Sequence, residues 1–515
     1  MKIAVAVTAR LVPDWQRRAI DALRALDAVE VRIVDVPGAA TPPRGFDARL
    51  AGPALATAPV DVDRSDLAGC DAILNFTAHA FAADPPQGVW SFRLGEDSGA
   101  ALPFATEIVR GDATVTIVLE RRRGAVTEIL RSGRFGIPMW YPTLLRLALG
   151  EAARWAATFV AALRDGIDVP AVPASAPAAR ARPPHRVALL TALGARFASG
   201  MRDAFFTVDQ WNVGFAPGGP RALLDGSVLD VRWLDDPPHR TFVADPFVVE
   251  RDGQRVLFLE DFNYVRNRGV IDALVLDGAD RVVRRTRALE TAVHLSYPFP
   301  VEIDGELYLM PESCAANEVA LYRCVAFPDR WERESALLPG FDGVDTTLFA
   351  HEGRWWAFAT RTATGANLAL HAFHAPAPRG PWTAHPLNPI VVDVACARPA
   401  GPPFVVDGVL YRTGQDCSRT YGGAVVVARV DALSPTGYRE TVVRRLEPPP
   451  GRFADGFHTI SFAGDTLVVD GKRTYRDLRN VGRAVRALRD RIARGLRRSA
   501  SHRASTPQAP APDHR

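Results

Sequence analysis

Between residues 245 and 472, acidic, basic and imidazole side chains return at near-regular intervals, each beside a short apolar run. Asp245, Tyr297, Asp345, Arg398 and His458 open these runs, in steps of 52, 48, 53 and 60 residues. Each run passes through a Gly-containing turn into a second run that closes on another polar group: Glu260, Glu312, Arg361, Gln415 with Asp416, and Asp470 with Lys472. Carboxylates such as Asp245, Glu312 and Asp345 are what chemistry at a glycosidic bond requires, one as base or nucleophile and another, with raised pKa, as acid. Acids crowded beside an arginine shift one another's pKa in that direction. Glu260, Arg361, Arg398, Gln415, Asp416 and His458 would bind and orient a substrate, with Tyr297 and Tyr421 offering flat faces to a sugar ring. The plain alternative is structural, since an Asp before Pro at a strand start makes an Asx turn and propeller axes carry solvated polar groups.

The elements that must position these residues follow from the repeat. A period of about 50 residues, with two short strands around a turn, is that of one four-stranded blade. A hairpin's second strand returns to the mouth where the first began, so the opening and closing residues of each repeat meet. Residues 185–475 are therefore expected to form an all-β five-bladed propeller with its polar pairs on one axial pocket; a β-sandwich of similar hairpins is the competing arrangement. Ahead of it, residues 1–168 alternate strand and helix patterns: a buried run at Lys2–Thr8, helical spacing at Trp15–Leu26, a second apolar strand at Asp71–Phe76 and an amphipathic helix over 142–165. This predicts an α/β domain with a parallel sheet. The Pro- and Ala-rich stretch 169–184 reads as a linker, and residues 476–515 as a basic amphipathic helix followed by a disordered tail.

The chain has 515 residues, 47% of them hydrophobic and 23% charged, with a net charge of +4. That composition is globular and excludes a collagenous, wholly disordered or membrane-embedded chain. Lys2 and Lys472 are the only lysines, and the basic excess collects in the tail, so no nucleic-acid partner is expected. The five cysteines lie far apart with no C-x-x-C, and His294, His351, His371, His374 and His385 have no paired spacing, so no metal is expected. No GxGxxG follows the first strand, and no cofactor is expected. The six-residue apolar run at the N-terminus is too short for a signal peptide, which points to the cytoplasm. The basic tail suits either an anionic membrane surface or a cap on the propeller.

Taken together, ADPF, SYPFPVEIDGELYLMPES, VDTTLF, RWWAF, ARPAG, LYRTGQDCSRTYGGA and DGFHT resemble the propeller domain of plant glucosamine inositolphosphorylceramide transferases and their bacterial relatives. More distantly the segment is similar to five-bladed glycoside hydrolases of the arabinanase, fructosidase and levansucrase type. The hydrolase resemblance implies Asp245 as base or nucleophile and Glu312 as acid, although the hydrolase acid comes from a later blade. In the plant enzymes a separate glycosyltransferase domain follows the propeller and has no counterpart here, so transferase activity is not implied. In the first domain, DAILNF, GVWSFRLGED, ATEIVRGD and TVTIVLERRRG resemble the Rossmann-type fold of formyl-tetrahydrofolate-dependent formyltransferases. That family's catalytic Asn, His and Asp fall on Ser91, Arg93 and Arg122, which implies lost formyl transfer. The expected function is carbohydrate binding, with or without processing, of a surface glycan, glycolipid or nucleotide sugar. A non-catalytic recognition or scaffold module is the first alternative, and formyl transfer to an amino sugar the second.

Overall fold

The computed structural model describes residues 1–8, 11–36, 46–61, 69–77, 79–96, 102–174, 183–226 and 228–478, with three residues of the tail beyond. Lys2–Val7 is buried from Ile3 onward because it runs parallel between Glu30–Asp35 and Ala72–Asn75. Such a strand has both faces covered and reads as unbroken apolar sequence. Val89–Leu94 continues the parallel order, and Thr114–Arg123 with Val126–Gly136 extends it antiparallel. The helix Tyr141–Arg164, with Pro142 in its first turn, buries Leu144, Leu145, Trp155 and Phe159. The 169–184 stretch is only partly a linker, because Val172 and Pro173 pair with Ile129 and Glu128; residues 175–182 lie outside the described residues.

From Thr207 to Arg476 the chain is almost entirely antiparallel β in a propeller-like arrangement. All five repeat hairpins form: Thr241–Arg251 with Gln254–Asn263, Ser296–Ile303 with Glu306–Glu312, Gly343–His351 with Arg354–Arg361, Phe404–Val406 with Val409–Asp416, and Ile460–Ala463 with Thr466–Arg476. The last repeat is completed by Thr207–Pro217, paired in register from Thr207↔Arg476 to Pro217↔Thr466, so the first strand of the β region closes onto the last.

Four of the repeats sit in separate four-stranded sheets, where five such blades were expected. The third hairpin and Ala369–Ala375 instead continue through Val391–Asp393 into the N-terminal sheet, giving one twelve-stranded sheet. The cause is local: Val391–Asp393 pairs antiparallel with Ala369 and Leu370 on one side and parallel with Gly133 and Arg134 on the other. One apolar cluster likewise joins Leu144 and Trp155 to Leu368, Leu387 and Val392. The basic helix expected over 476–498 falls almost wholly outside the described residues. No described helix is long and apolar enough to cross a membrane.

Candidate axial site

Three of the five repeats open with the same backbone irregularity. Asp245, Tyr297 and Asp345 have φ of +54°, +44° and +49°, and each lies where strand register shifts, between Ala244 and Phe247, Ser296 and Phe299, and Val344 and Thr347. A bulge adds a residue to one strand and re-aims its side chain. Positive φ is costly for non-glycine residues, for tyrosine above all, and is kept where the surroundings impose it.

The re-aimed side chains meet across repeats. Asp245 Oδ2 accepts from the Tyr297 N–H at 3.1 Å, and its Oδ1 accepts from Thr459 Oγ1 at 2.8 Å. His458 lies between two acids, Nε2 at 3.3 Å from Asp245 Oδ1 and Nδ1 at 2.7 Å from Asp470 Oδ2. Asp470 also accepts the N–H groups of Asp245, His458 and Thr459, which ties the first repeat to the last. Burial opposes charge on His458, but Asp470 and Asp245 outweigh it and raise its pKa. Ligand atoms of Asp245, His458 and Asp470 lie within 4.8 Å of one another, a spacing that could also hold a cation; His458 Nδ1, although 2.7 Å from Asp470 Oδ2, is buried and makes no hydrogen bond of good geometry.

On the other side, Asp345 is gripped by Arg398, from Nε to Oδ2 at 2.6 Å and from Nη2 to Oδ1 at 3.1 Å, and by Gln415 Nε2 at 2.7 Å. Glu312 Oε2 lies 3.6 Å from Arg398 Nη2, beyond hydrogen-bond reach, and this buried atom has no hydrogen-bond partner. Burial, then the charge of Asp345, push the Glu312 carboxyl up to about 8, with Arg398 pulling the other way. Asp245 is pushed up to about 6, by burial first and by Asp345 and Asp470, with His458 opposing. Glu260 is raised well above the usual carboxylate range by burial and by Asp245, Glu312 and Asp345. Its Oε1 is likewise buried without a hydrogen-bond partner, 3.6 Å from His294 Nε2. The Gly269 N–H donates to His294 Nδ1 at 2.8 Å, so the neutral ring carries its proton on Nε2, facing Glu260. Burial and the Arg398 charge hold His294 down at about 4. A Cβ on Gly269 would stand 2.4 Å from Glu260 Oε1, so the site requires glycine there.

Tyr421 is 37% exposed and lies beneath the Arg398 guanidinium, 5.1 Å from ring centre to Cζ, with His458 at 5.3 Å. His294 is likewise partly exposed, whereas the Glu260 carboxylate beside it is buried. The Tyr297 ring packs in the core, its hydroxyl 2.9 Å from Thr347 Oγ1, and offers no face to a ligand. Arg361 bonds Asp342 rather than Asp345, and Asp416 bonds Arg445 at 2.8 Å, so neither joins the cluster. Trp211, Thr459 and His294 belong to the site without having been singled out for it. Thr459 and His294 adjoin repeat openings, a usable signal, whereas Trp211, 4.1 Å from the His458 ring, comes from the closing strand, which no repeat marks.

Of the three positions on which the expected formyltransferase resemblance falls, Arg93 pairs with Glu120 at 3.0 Å, Arg122 donates to the carbonyls of Phe81, Ala83 and Gly124, and Ser91 sits in the sheet opposite Asn75 and Glu120.

Residues 234–450 match the family described as glucosamine inositolphosphorylceramide transferase 1, N-terminal. Glucosamine inositolphosphorylceramide transferase 1 of Oryza sativa subsp. japonica is 37% identical over 208 residues, 39% of this chain and 28% of the relative. The protein of that name from Arabidopsis thaliana is 37% identical over 208 residues, 39% of this chain and 27% of its own. The chain thus spans about 28% of the length of the curated relatives it matches. Among solved structures, a thermostable family-43 glycoside hydrolase superposes with a TM-score of 0.34 at 13% identity, covering 44% of this chain and 85% of its own. A family-117 glycoside hydrolase from Zobellia galactanivorans gives 0.35 at 12% identity, covering 53% and 92%.

Proposed function

We propose that the axial cluster is a sugar site with acid–base capacity, and that the protein binds and processes a sugar of a surface glycan or glycolipid. The third hairpin with Ala369–Ala375 counts as the fifth blade in this reading, since the Asp345 it contributes belongs to the same cluster as Asp245. The observation that carries the proposal is Glu312: a buried carboxyl with one oxygen that accepts no hydrogen bond, pushed up to about 8 by burial and by Asp345, is a proton donor at neutral pH whose proton can pass from Asp345 to a bound acceptor. A glycosidic oxygen supplies that acceptor. Glu312 gives it a proton as the bond to the anomeric carbon breaks, while Asp245, ionised above about 6, deprotonates the attacking water or attacks the anomeric carbon itself. Asp345, held by Arg398 and Gln415, is a positioning residue that adds to the effect of burial in keeping Glu312 protonated, by like-charge repulsion and by hydrogen bonding. The family match over 234–450 supports a carbohydrate ligand. A second reading, recognition without turnover, is favoured by the double grip on Asp345, which removes one carboxylate from chemistry.

The full chain is to be screened against glycans, glycolipid headgroups and nucleotide sugars, with products analysed in the same samples. Turnover by the wild type that Asp245→Asn and Glu312→Gln each reduce by about a hundredfold or more, with binding retained, establishes processing. Binding with no product in any form leaves recognition. No binding at all removes the carbohydrate reading.

A further inference from the structure

We propose that the cavity between the N-terminal sheet and the propeller is a second ligand site, built for a small organic anion carrying a phosphate or carboxylate group on an apolar body. The cavity has a volume of about 570 Å³, within the ordinary size of a small-molecule site. It lies where the strand Val126–Gly136 and the helix Tyr141–Arg164 face Leu387–Asp393 and the strand Tyr438–Leu446, apart from the axial cluster.

Its charges do not balance. Of the carboxylates lining it, Asp393 is bonded by Arg134 at 2.9 and 2.6 Å, and Glu440 by Arg412 at 2.5 Å through each oxygen. Two further lining cations, Arg131 and Arg439, form no ion pair among the described residues. Nearby Glu151 is occupied by Arg154 and by Trp155 Nε1, and Asp431 by Arg429 and Thr441. Arg131 donates from Nη2 to the Leu387 carbonyl at 2.8 Å and lies over the Phe159 ring at 4.8 Å, while its buried Nη1 has no partner. Burial lowers its pKa to about 10. Among the described residues the only counter-charge acting on this desolvated guanidinium is Glu151, which is shared with Arg154, and its fork of donors matches the oxygens of a phosphate or carboxylate. Ser132 and Thr116 line the same space, and Leu130, Phe159, Leu387 and Ile390 contribute apolar groups to its walls. Those walls favour an anion with a hydrocarbon or ring portion over a bare ion. Because Arg131 already bonds across the junction, an anion on its free Nη1 would touch both parts of the molecule.

The test uses the full chain with inorganic phosphate, phenyl phosphate and benzoate as probes, followed by calorimetry and by the shift in melting temperature. Phenyl phosphate or benzoate is expected to bind and stabilise, and the tighter of the two identifies the anionic group; inorganic phosphate, lacking the apolar body, binds more weakly. Arg131→Met, which keeps the packing of the stem, weakens binding by about tenfold or more. Val442→Asp places a negative charge on an exposed lining position where folding is not at risk, and weakens binding likewise. Failure of all three probes to bind, or binding undiminished in both variants, overturns the proposal.

Discussion

At the scale of single residues, the axial cluster sets neighbouring acids in contrasting surroundings. Asp345 has Arg398 and Gln415, Asp245 has His458 and Thr459, and Glu312 has a partnerless oxygen. With Asp245 near 6 and Glu312 near 8, base ionised and acid protonated coexist only between those values. Processing activity is therefore expected to be bell-shaped in pH, with kcat/KM falling below about 6 and above about 8. Glu312→Gln removes the alkaline limb together with most of the rate, and a profile without that limb in the wild type rejects Glu312 as acid. The same shifts govern stability. Glu312, Glu260 and Asp245 have raised folded pKa values, so between about pH 4 and about pH 8 the folded chain holds protons that the unfolded chain has released, and stability falls as pH rises. His458, also raised, acts in the same direction, whereas His294, His371 and His385, lowered by burial to about 4, about 3 and about 4, oppose it below about pH 6.5. Above the histidine range the raised carboxyls decide the sign, so the urea midpoint should be higher at about pH 7 than at about pH 8, and Glu312→Gln should flatten the difference. A wild-type midpoint that rises over this range would contradict the assignment.

At the scale of elements, bulges and close crossings aim these residues. The repeats share an apolar strand and a turn, but the three that supply Asp245, Tyr297 and Asp345 also share a positive φ and a register shift. A regular strand would alternate these side chains between the two faces of the blade and leave Asp245 and Asp345 short of the axis. The fourth and fifth repeats are locked by a crossing at Gly401, with φ of +133°, where an added Cβ would meet the Ile460 carbonyl oxygen at 1.8 Å. The adjacent Ala400 carbonyl accepts from the Ile460 N–H at 2.8 Å. Gly401→Ala is expected to lower stability by about 2 kcal/mol or more, through strain and loss of that bond. Arg398 and His458 flank the crossing, so sugar binding should weaken in parallel; a variant of wild-type melting temperature would show that the crossing tolerates a side chain.

At the scale of the whole molecule, the two halves share a sheet and a core. Val392 pairs with Gly133 across the junction and sits in the cluster that holds Trp155 and Leu144. Arg134 with Asp393 and Arg131 with the Leu387 carbonyl add polar ties beside it. A chain joined in this way should unfold in one cooperative transition. Val392→Pro removes a ladder N–H and is expected to split the melting curve into two steps, the lower from the N-terminal half. A single unchanged transition in Val392→Pro would mean that the apolar cluster alone couples the halves.

The spacing of Asp245, Tyr297, Asp345, Arg398 and His458 was enough to identify the hairpins and the polar pairs at their ends, because hairpin pairing is local and its period is written in consecutive residues. The alternation of apolar strands and an amphipathic helix likewise identified the N-terminal sheet and the helix over 141–164. Tertiary structure alone decided which ends meet. It turned Arg361 to Asp342 and Asp416 to Arg445, buried the Tyr297 ring, and brought in Trp211 from a closing strand that pairs more than 200 residues downstream. It also sent the third hairpin's sheet into the N-terminal domain through the three-residue strand Val391–Asp393, too short to carry a periodic signal. Contacts of this kind depend on how blades pack and where backbones bulge, and on the low dielectric that packing creates around Glu312 and Asp245, none of which a residue's sequence neighbours encode.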